Sequence, residues 1–314
     1  MAQTPPPIPR TQRRRKPLNL VRIKSVIVFV VGSLTALGGA ITGLGAQVAF
    51  APMLTWMLGF NAEKAQATAM RYAAFAAAAS VFGAYAAHQM GYGANPAAGV
   101  QQEVSAAQFW PGNLLLSGLL IFLGATIGAI FTAGLAPKPH QVGRRRIFQT
   151  MGVGLGILVI SEARLHLAAG TAHIALWHNM PHLAWLALLA MGIVVGGLTQ
   201  VMGLSGGVLM VPALFFLGGY TAGQAATLSL LVVCLAALLP AWSYGRRGLV
   251  DTTYATPAVV GGLFGGLMGG LLLPHLSEMM IVILFSGIAM FLSARELARM
   301  ALERPNPPES SEQP

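Results

Sequence analysis

The chain has 314 residues, 55% of them hydrophobic and only 9% charged, with a mean hydropathy of +0.67. Soluble domains carry about 25% charged residues, so the composition excludes a soluble enzyme or binding module and points to an integral membrane protein. The net charge of +10 does not indicate a nucleic-acid partner: Arg10, Arg13, Arg14, Arg15, Lys16, Arg22 and Lys24 crowd the N-terminus without a balancing acid, as in a basic tail that faces the cytoplasm and anionic headgroups.

Residues 1–21 hold Pro5, Pro6, Pro7, Pro9 and Pro17 and are expected to be disordered, since they cannot bury an apolar face. A first full span is predicted at about 23–43, then a short, broken segment ending near Gly59. The apolar run from Ser25 passes residue 57, too long for the h-region of about 7 to 15 residues in a cleaved signal peptide. Glu63 and Lys64 mark a return to water before an Ala-rich span at 65–88, whose small residues suit close helix packing. Residues 89–111, rich in Gly and Pro and without Lys or Arg, read as a polar loop. A span at 113–135, a basic loop with Lys138 and Arg144 to Arg146, and a span at 147–168 complete the first half.

His166, His173, His178 and His182 cluster between the halves, but Pro181 argues against a regular helix there and no Cys or Glu accompanies them. They are read as loop histidines, and no metal or cofactor is expected. Further spans are predicted at 183–202, 222–244, 256–273 and 278–298, with a second broken segment at 203–219. No Asp, Glu, Lys or Arg occurs between Arg164 and Arg246, and a span needs only about 20 apolar residues. The single cysteine, Cys234, rules out an internal disulfide and reads as a small core residue. The domain plan is a tail at 1–21, a first repeat at 22–170, a loop at 171–181, a second repeat at 182–300 and a disordered tail at 301–314.

Two stretches organise this plan. Residues 203–214, GLSGGVLMVPAL, place Gly203, Gly206, Gly207 and Pro212 in an unbroken apolar run. Residues 43–54, GLGAQVAFAPML, repeat them at an offset of 160, with Gly43, Leu44, Val48, Pro52 and Leu54 identical. Backbone groups freed inside a bilayer must be satisfied by protein or a water-filled cavity, so paired Gly/Pro-interrupted segments point to a transport site. A second offset, of 137, matches Gly124, Gly128, Leu135 and Pro137 to Gly261, Gly265, Leu272 and Pro274. The smaller offset implies an insertion in the first half, for which 89–111 is the natural place.

These paired Gly-Leu motifs with Pro, each followed by an Ala-Thr step at Ala67-Thr68 and Ala226-Thr227, resemble the sulfite exporter TauE/SafE family of membrane permeases. The resemblance covers most of residues 22–300 and implies export or uptake of a small oxoanion or sulfur-containing anion such as sulfite, sulfonate or sulfoacetate. The second motif is the closer match. The first has Ala46-Gln47 where the second has Gly206-Gly207, and Ala69 where a hydroxyl residue is expected.

A re-entrant reading of the broken segments sets Arg144 to Arg146 opposite the basic N-terminus. If each segment crosses instead, each half has five crossings, the halves are inverted, and the N-terminus, Lys64, Arg144 to Arg146, Arg246, Arg247, Arg299 and Arg304 share one side; only Arg164 dissents. That satisfies the positive-inside rule and predicts an all-α, multi-pass protein of a bacterial inner membrane with both termini cytoplasmic. The candidate anion-binding residues are Gly43, Gly45, Gln47, Gly203, Ser205, Gly206 and Gly207 at the breaks, with Thr68, Thr227 and Ser229 as hydroxyl donors on the helices that follow.

Arg71 is added as a charge falling inside a predicted span, about 10 Å from its start at 1.5 Å per residue. It either pairs with the substrate or snorkels to the headgroups. Glu162, Asp251 and Glu296 lie near predicted span ends and leave the coupling ion open. The expected partners are a small anion and membrane lipid, with pairing of two copies left open. An anion channel and an intramembrane enzyme are the competing classes; the latter needs a nucleophile with a base, or a metal cluster, and no such constellation is present in the sequence.

Overall fold

A computed structural model describes residues 18–90, 112–132, 181–202, 206–216 and 220–302. Among them the chain is all-helical: α1 (Leu18–Thr42), α2 (Gln47–Leu58), α3 (Ala62–Gln89), α4 (Gly112–Thr132), α5 (Pro181–Met202), α6 (Gly206–Phe216), α7 (Ala222–Arg246), α8 (Thr252–Leu272), a short 3₁₀ turn (Leu273–His275) and α9 (Glu278–Leu302). By length and composition four helical stretches can cross a bilayer: Arg22–Thr42, Leu115–Thr132, Ala222–Arg246 and Thr252–His275. The predicted span at 147–168, Arg144 to Arg146, Arg164 and the loop histidines 166, 173 and 178 lie outside the described residues.

Local chemistry explains several boundaries. Asn61 accepts the Lys64 amide at 2.9 Å and starts α3. Thr221 and Gln224 form a reciprocal capping box at the start of α7, satisfying two otherwise orphaned donors. Asp251 caps α8 through the Thr253 amide. α2 stops at Gly59, whose φ of 66° is a left-handed conformation that glycine adopts without a Cβ clash. Pro52 and Pro212 lie inside helices, α2 and α6. Each deprives only the carbonyl four residues earlier of its donor, and α2 runs on to Gly59.

α8 is central to the packing. Its sequence repeats glycine pairs every four residues, so two of its faces lack side chains. Gly261, Gly265 and Gly269 lie against the backbone of Phe29, Ser33 and Leu37 of α1; Gly262, Gly266 and Gly270 lie against Tyr72, Ala76 and Ser80 of α3. Partners rise in number along both helices, so α1, α3 and α8 all run in the same direction. α4 and α5 are parallel by the same criterion, with Gly192 on Ile121 and Gly196 on Ala125. α3 and α7 are antiparallel: Ala67 clusters with Tyr244, Ala73 and Ala74 with Ala237, and Ala77 with Val233 and Leu230.

Since α1 and α3 point the same way, α2 must bring the chain back between them. The ion pair Lys64 to Asp251, 2.7 Å long, joins the starts of α3 and α8 as this direction requires. Two cores result. One gathers α1, α2, α3 and α8 around Phe50, Leu54, Tyr72 and Ala258; the other gathers α4 to α7 and α9 around Ile121, Leu214, Leu228 and Phe285.

Candidate functional site

The break between α1 and α2 is built by two glycines. Gly43 and Gly45 have φ of 71° and 81°, values that cost a side-chain-bearing residue steric strain. The Gly43 amide still closes the last turn of α1 on the Gly39 carbonyl at 2.9 Å, and then the chain reverses. Ala46 at the N-cap of α2 provides no side-chain cap, and a helix leaves its first N–H groups without intrahelical partners. Thr42 and residues 43–46 are all buried, so the reversal happens inside the bundle. Leu44 packs into the core of α4 to α7 and α9, and Ala46 into the core of α1, α2, α3 and α8.

The start of α6 meets this turn. A Cβ on Gly207 would lie 2.5 Å from the Leu44 carbonyl oxygen and 2.6 Å from that of Gly43. Gly43 in turn faces α7 and α6: a Cβ there would lie 2.6 Å from the Ala226 Cα and 2.8 Å from the Val211 Cγ2. Ser229 of α7, fully buried, donates its hydroxyl proton to the Gly43 carbonyl at 2.8 Å. The N-terminal ends of α2 and α6 thus converge on one buried turn. A helix N-terminus carries partial positive charge, and such ends favour an anion.

α2 is held in place from below the turn. Phe50 stacks on Tyr72 at 4.1 Å, and the Tyr72 hydroxyl donates to the Gly32 carbonyl at 2.7 Å with Thr35 beside it at 2.7 Å. α2, α3 and α1 are locked together near the break.

The predicted site residues divide. Gly43, Gly45, Gln47, Gly207 and Ser229 come together at the turn, and Gly206 is the first residue of α6. Gly203 and Ser205 lie outside the described residues. Thr227 donates to the Gly223 carbonyl of its own helix at 2.9 Å. Thr68 donates to the Lys64 carbonyl at 2.8 Å and accepts the Asp251 amide at 3.4 Å, which makes it part of the joint between α3 and α8. Arg71 is exposed while its neighbour Tyr72 is fully buried. Sequence reasoning missed Thr42, whose buried hydroxyl donates to the Gly38 carbonyl at 2.7 Å and receives the Leu44 amide at 3.5 Å. A hydroxyl directly before a Gly-Leu-Gly reversal in an apolar run was the available signal.

Residues 188–314 match the model of the family described as Sulfite exporter TauE/SafE. The chain is similar to that family over its second half. The match includes the second Gly-Leu motif, α6 to α9 and most of α5, and the membrane-length apolar helices agree with a family of permeases. The TauE/SafE match begins at residue 188 and does not reach the first motif, residues 43–54. No curated protein and no solved structure matches the chain.

Proposed function

We propose that the chain is a membrane permease for a small anion, a sulfur oxoanion or an organosulfonate such as sulfite or sulfoacetate, working by alternating access around the two repeated motifs. The observation that carries this is the seating of Gly207 on the Gly43 and Leu44 carbonyls: the two repeated motifs form one locus, with the N-termini of α2 and α6 directed at it. In a low-dielectric interior an anion has little other solvation, and helix ends aimed at the substrate near the middle of the membrane are the usual transporter solution.

An inverted repeat makes sense of the packing. Under the sequence offsets, α1, α2, α3 and α4 correspond to α5, α6, α7 and α8. The pairing of α1 with α8 then corresponds to that of α5 with α4, and the antiparallel pair α3 and α7 are each other's counterparts with opposite directions. The two cores become two bodies: α1, α2 and α3 of the first repeat with α8 of the second, and α5, α6, α7 and α9 of the second with α4 of the first. Movement of one body against the other would expose the turn to alternate sides. The positive-inside rule sets the starts of α1, α3 and α8 towards the cytoplasm.

The test is counterflow in proteoliposomes with sulfite, sulfonates, thiosulfate and simple carboxylates, with and without a proton gradient. Saturable exchange of a sulfur anion is expected. Flux that never saturates would assign the protein to the channels, and no flux of any of these anions would overturn the reading.

A further inference from the structure

The turn contains one group that an anion alone does not explain. Gln47, the first residue of α2, has its side-chain Oε1 buried with no hydrogen-bond donor. Polar atoms shut away from water are normally paired. The two buried hydroxyls of the turn are committed elsewhere: Thr42 and Ser229 donate to the Gly38 and Gly43 carbonyls. A Cβ on Gly45 would stand 3.3 Å from Oε1 and 3.3 Å from the Val233 Cγ1, so the amide lies over the bare turn beside an apolar wall. In the repeat, position 47 corresponds to Gly207. The second motif has no side chain there, so the amide breaks the symmetry of the site and is not a requirement of the shared fold.

Resting on the permease reading, we infer that Gln47 is a specificity-determining residue, whose buried acceptor selects an oxoanion that still carries a proton, such as hydrogen sulfite, over anions with no proton to donate. The helix ends contribute donors that any oxoanion satisfies. One acceptor among them is satisfied only by an O–H on the substrate. A ligand of the same charge without that proton leaves Oε1 unpaired, and sites built around a substrate hydroxyl reject analogues that lack it.

Titratable side chains on the packed elements do not substitute for this group. On α1, Arg22 and Lys24 lie in the first two turns. On α3, Glu63 and Lys64 lie in the first turn, Lys64 paired with Asp251, and Arg71 is exposed. Tyr72 donates to Gly32, and Tyr85 and His88 lie towards the far end of α3. Cys234 on α7 packs with Ala77 and Leu230, and α6 has no titratable residue.

The experiment compares hydrogen sulfite with methanesulfonate, a monoanion with no acidic proton, in reconstituted protein at equal pH on both sides. Hydrogen sulfite should compete for counterflow at least about tenfold more tightly, the factor for one hydrogen bond of about 1.4 kcal/mol. Gln47→Met should bring the two towards parity while still exchanging methanesulfonate. The wild type alone gives a second measurement, independent of how any variant folds. At fixed total sulfite its rate should fall with the hydrogen sulfite fraction as pH rises. Equal competition by the two anions in the wild type, an unchanged ratio in Gln47→Met, or a rate indifferent to that fraction would overturn the role of Gln47 and leave the permease reading standing. No exchange of any sulfur anion would overturn both.

Discussion

Gly207→Ala adds one methyl group at the point where the two motifs touch. Its Cβ would lie 2.5 and 2.6 Å from two backbone oxygens, well inside the relaxed contact distance of about 3.5 Å between non-bonded atoms. The oxygens belong to a turn with little freedom to retreat, since Gly43 is wedged against Ala226 and its carbonyl is held by Ser229. Overpacking of this kind costs about 1–3 kcal/mol. Expressed in the state that binds substrate, that is a loss of roughly fivefold to 150-fold in transport. Counterflow rates per folded protein give the readout, with detergent thermal stability measured in parallel. Gly287→Ala is the control, because nothing lies within 4 Å of a Cβ there. Wild-type rates and stability in Gly207→Ala would refute the reasoning, since the two motifs would then not need this contact. The geometry also shifts the reason for the glycine: it serves the approach of α6 to the first turn, whatever space it leaves for substrate.

Other variants probe the same construction. Ser229→Ala strips the donor from a buried carbonyl and should lower stability by about 1–3 kcal/mol and slow transport, whereas Thr227→Val, whose hydroxyl bonds only its own helix, should be close to neutral; equal effects would remove Ser229 from the site. Arg71→Gln should leave the concentration dependence of transport unchanged, as an exposed arginine that reaches the headgroups would; a strongly raised apparent Km would return it to the substrate. Cysteines placed at Lys64 and Arg246 should be labelled from the side of the basic N-terminal tail, and labelling from opposite sides would break the shared direction of α1, α3 and α8.

The turn between α1 and α2 could be read from the sequence because glycine takes the positive φ that Gly43 and Gly45 have there, whereas Pro52 and Pro212 lie inside helices. The offsets between the halves were readable because glycines and prolines recur at a fixed spacing. The side of α3 that faces inward was not. Alanines on nearly every side of α3 leave no apolar stripe to distinguish its faces, so Arg71 beside the motif looked as well placed as Tyr72, which is the buried one. Thr68 and Thr227 occupy matching sequence positions and bond locally in both halves, as hydroxyls in apolar helices commonly do with the carbonyl four residues back. The exchange of helices between halves depends on which glycine face meets which backbone. The pairs Gly261-Gly262, Gly265-Gly266 and Gly269-Gly270 mark α8 as a helix approached from two sides, but nothing local says by which partners.

That exchange determines what can move. α8 is gripped by α1 and α3 along its glycine faces, so the three helices must travel together. The contact between the bodies is different in kind: Ala73, Ala74 and Ala77 of α3 lie on Ala237, Val233 and Leu230 of α7, with few long side chains to interlock. If transport requires one body to shift on the other, a short thiol linker from Ala74→Cys to Ala237→Cys, in a background with the native Cys234 replaced, should stop turnover and release it on reduction. A linker of the same length from Lys64→Cys to Asp251→Cys stays within one body, across an ion pair whose partners are 41% and 18% exposed. Exposed pairs contribute only about 0.2–1 kcal/mol and the Asp251 cap of α8 about 1 kcal/mol, so the substitutions should lower stability modestly and linking the positions should leave transport running. Turnover through a closed Ala74 to Ala237 linker would mean that α3 and α7 move as one, and that access to the turn is controlled by α2 and α6 within a static frame.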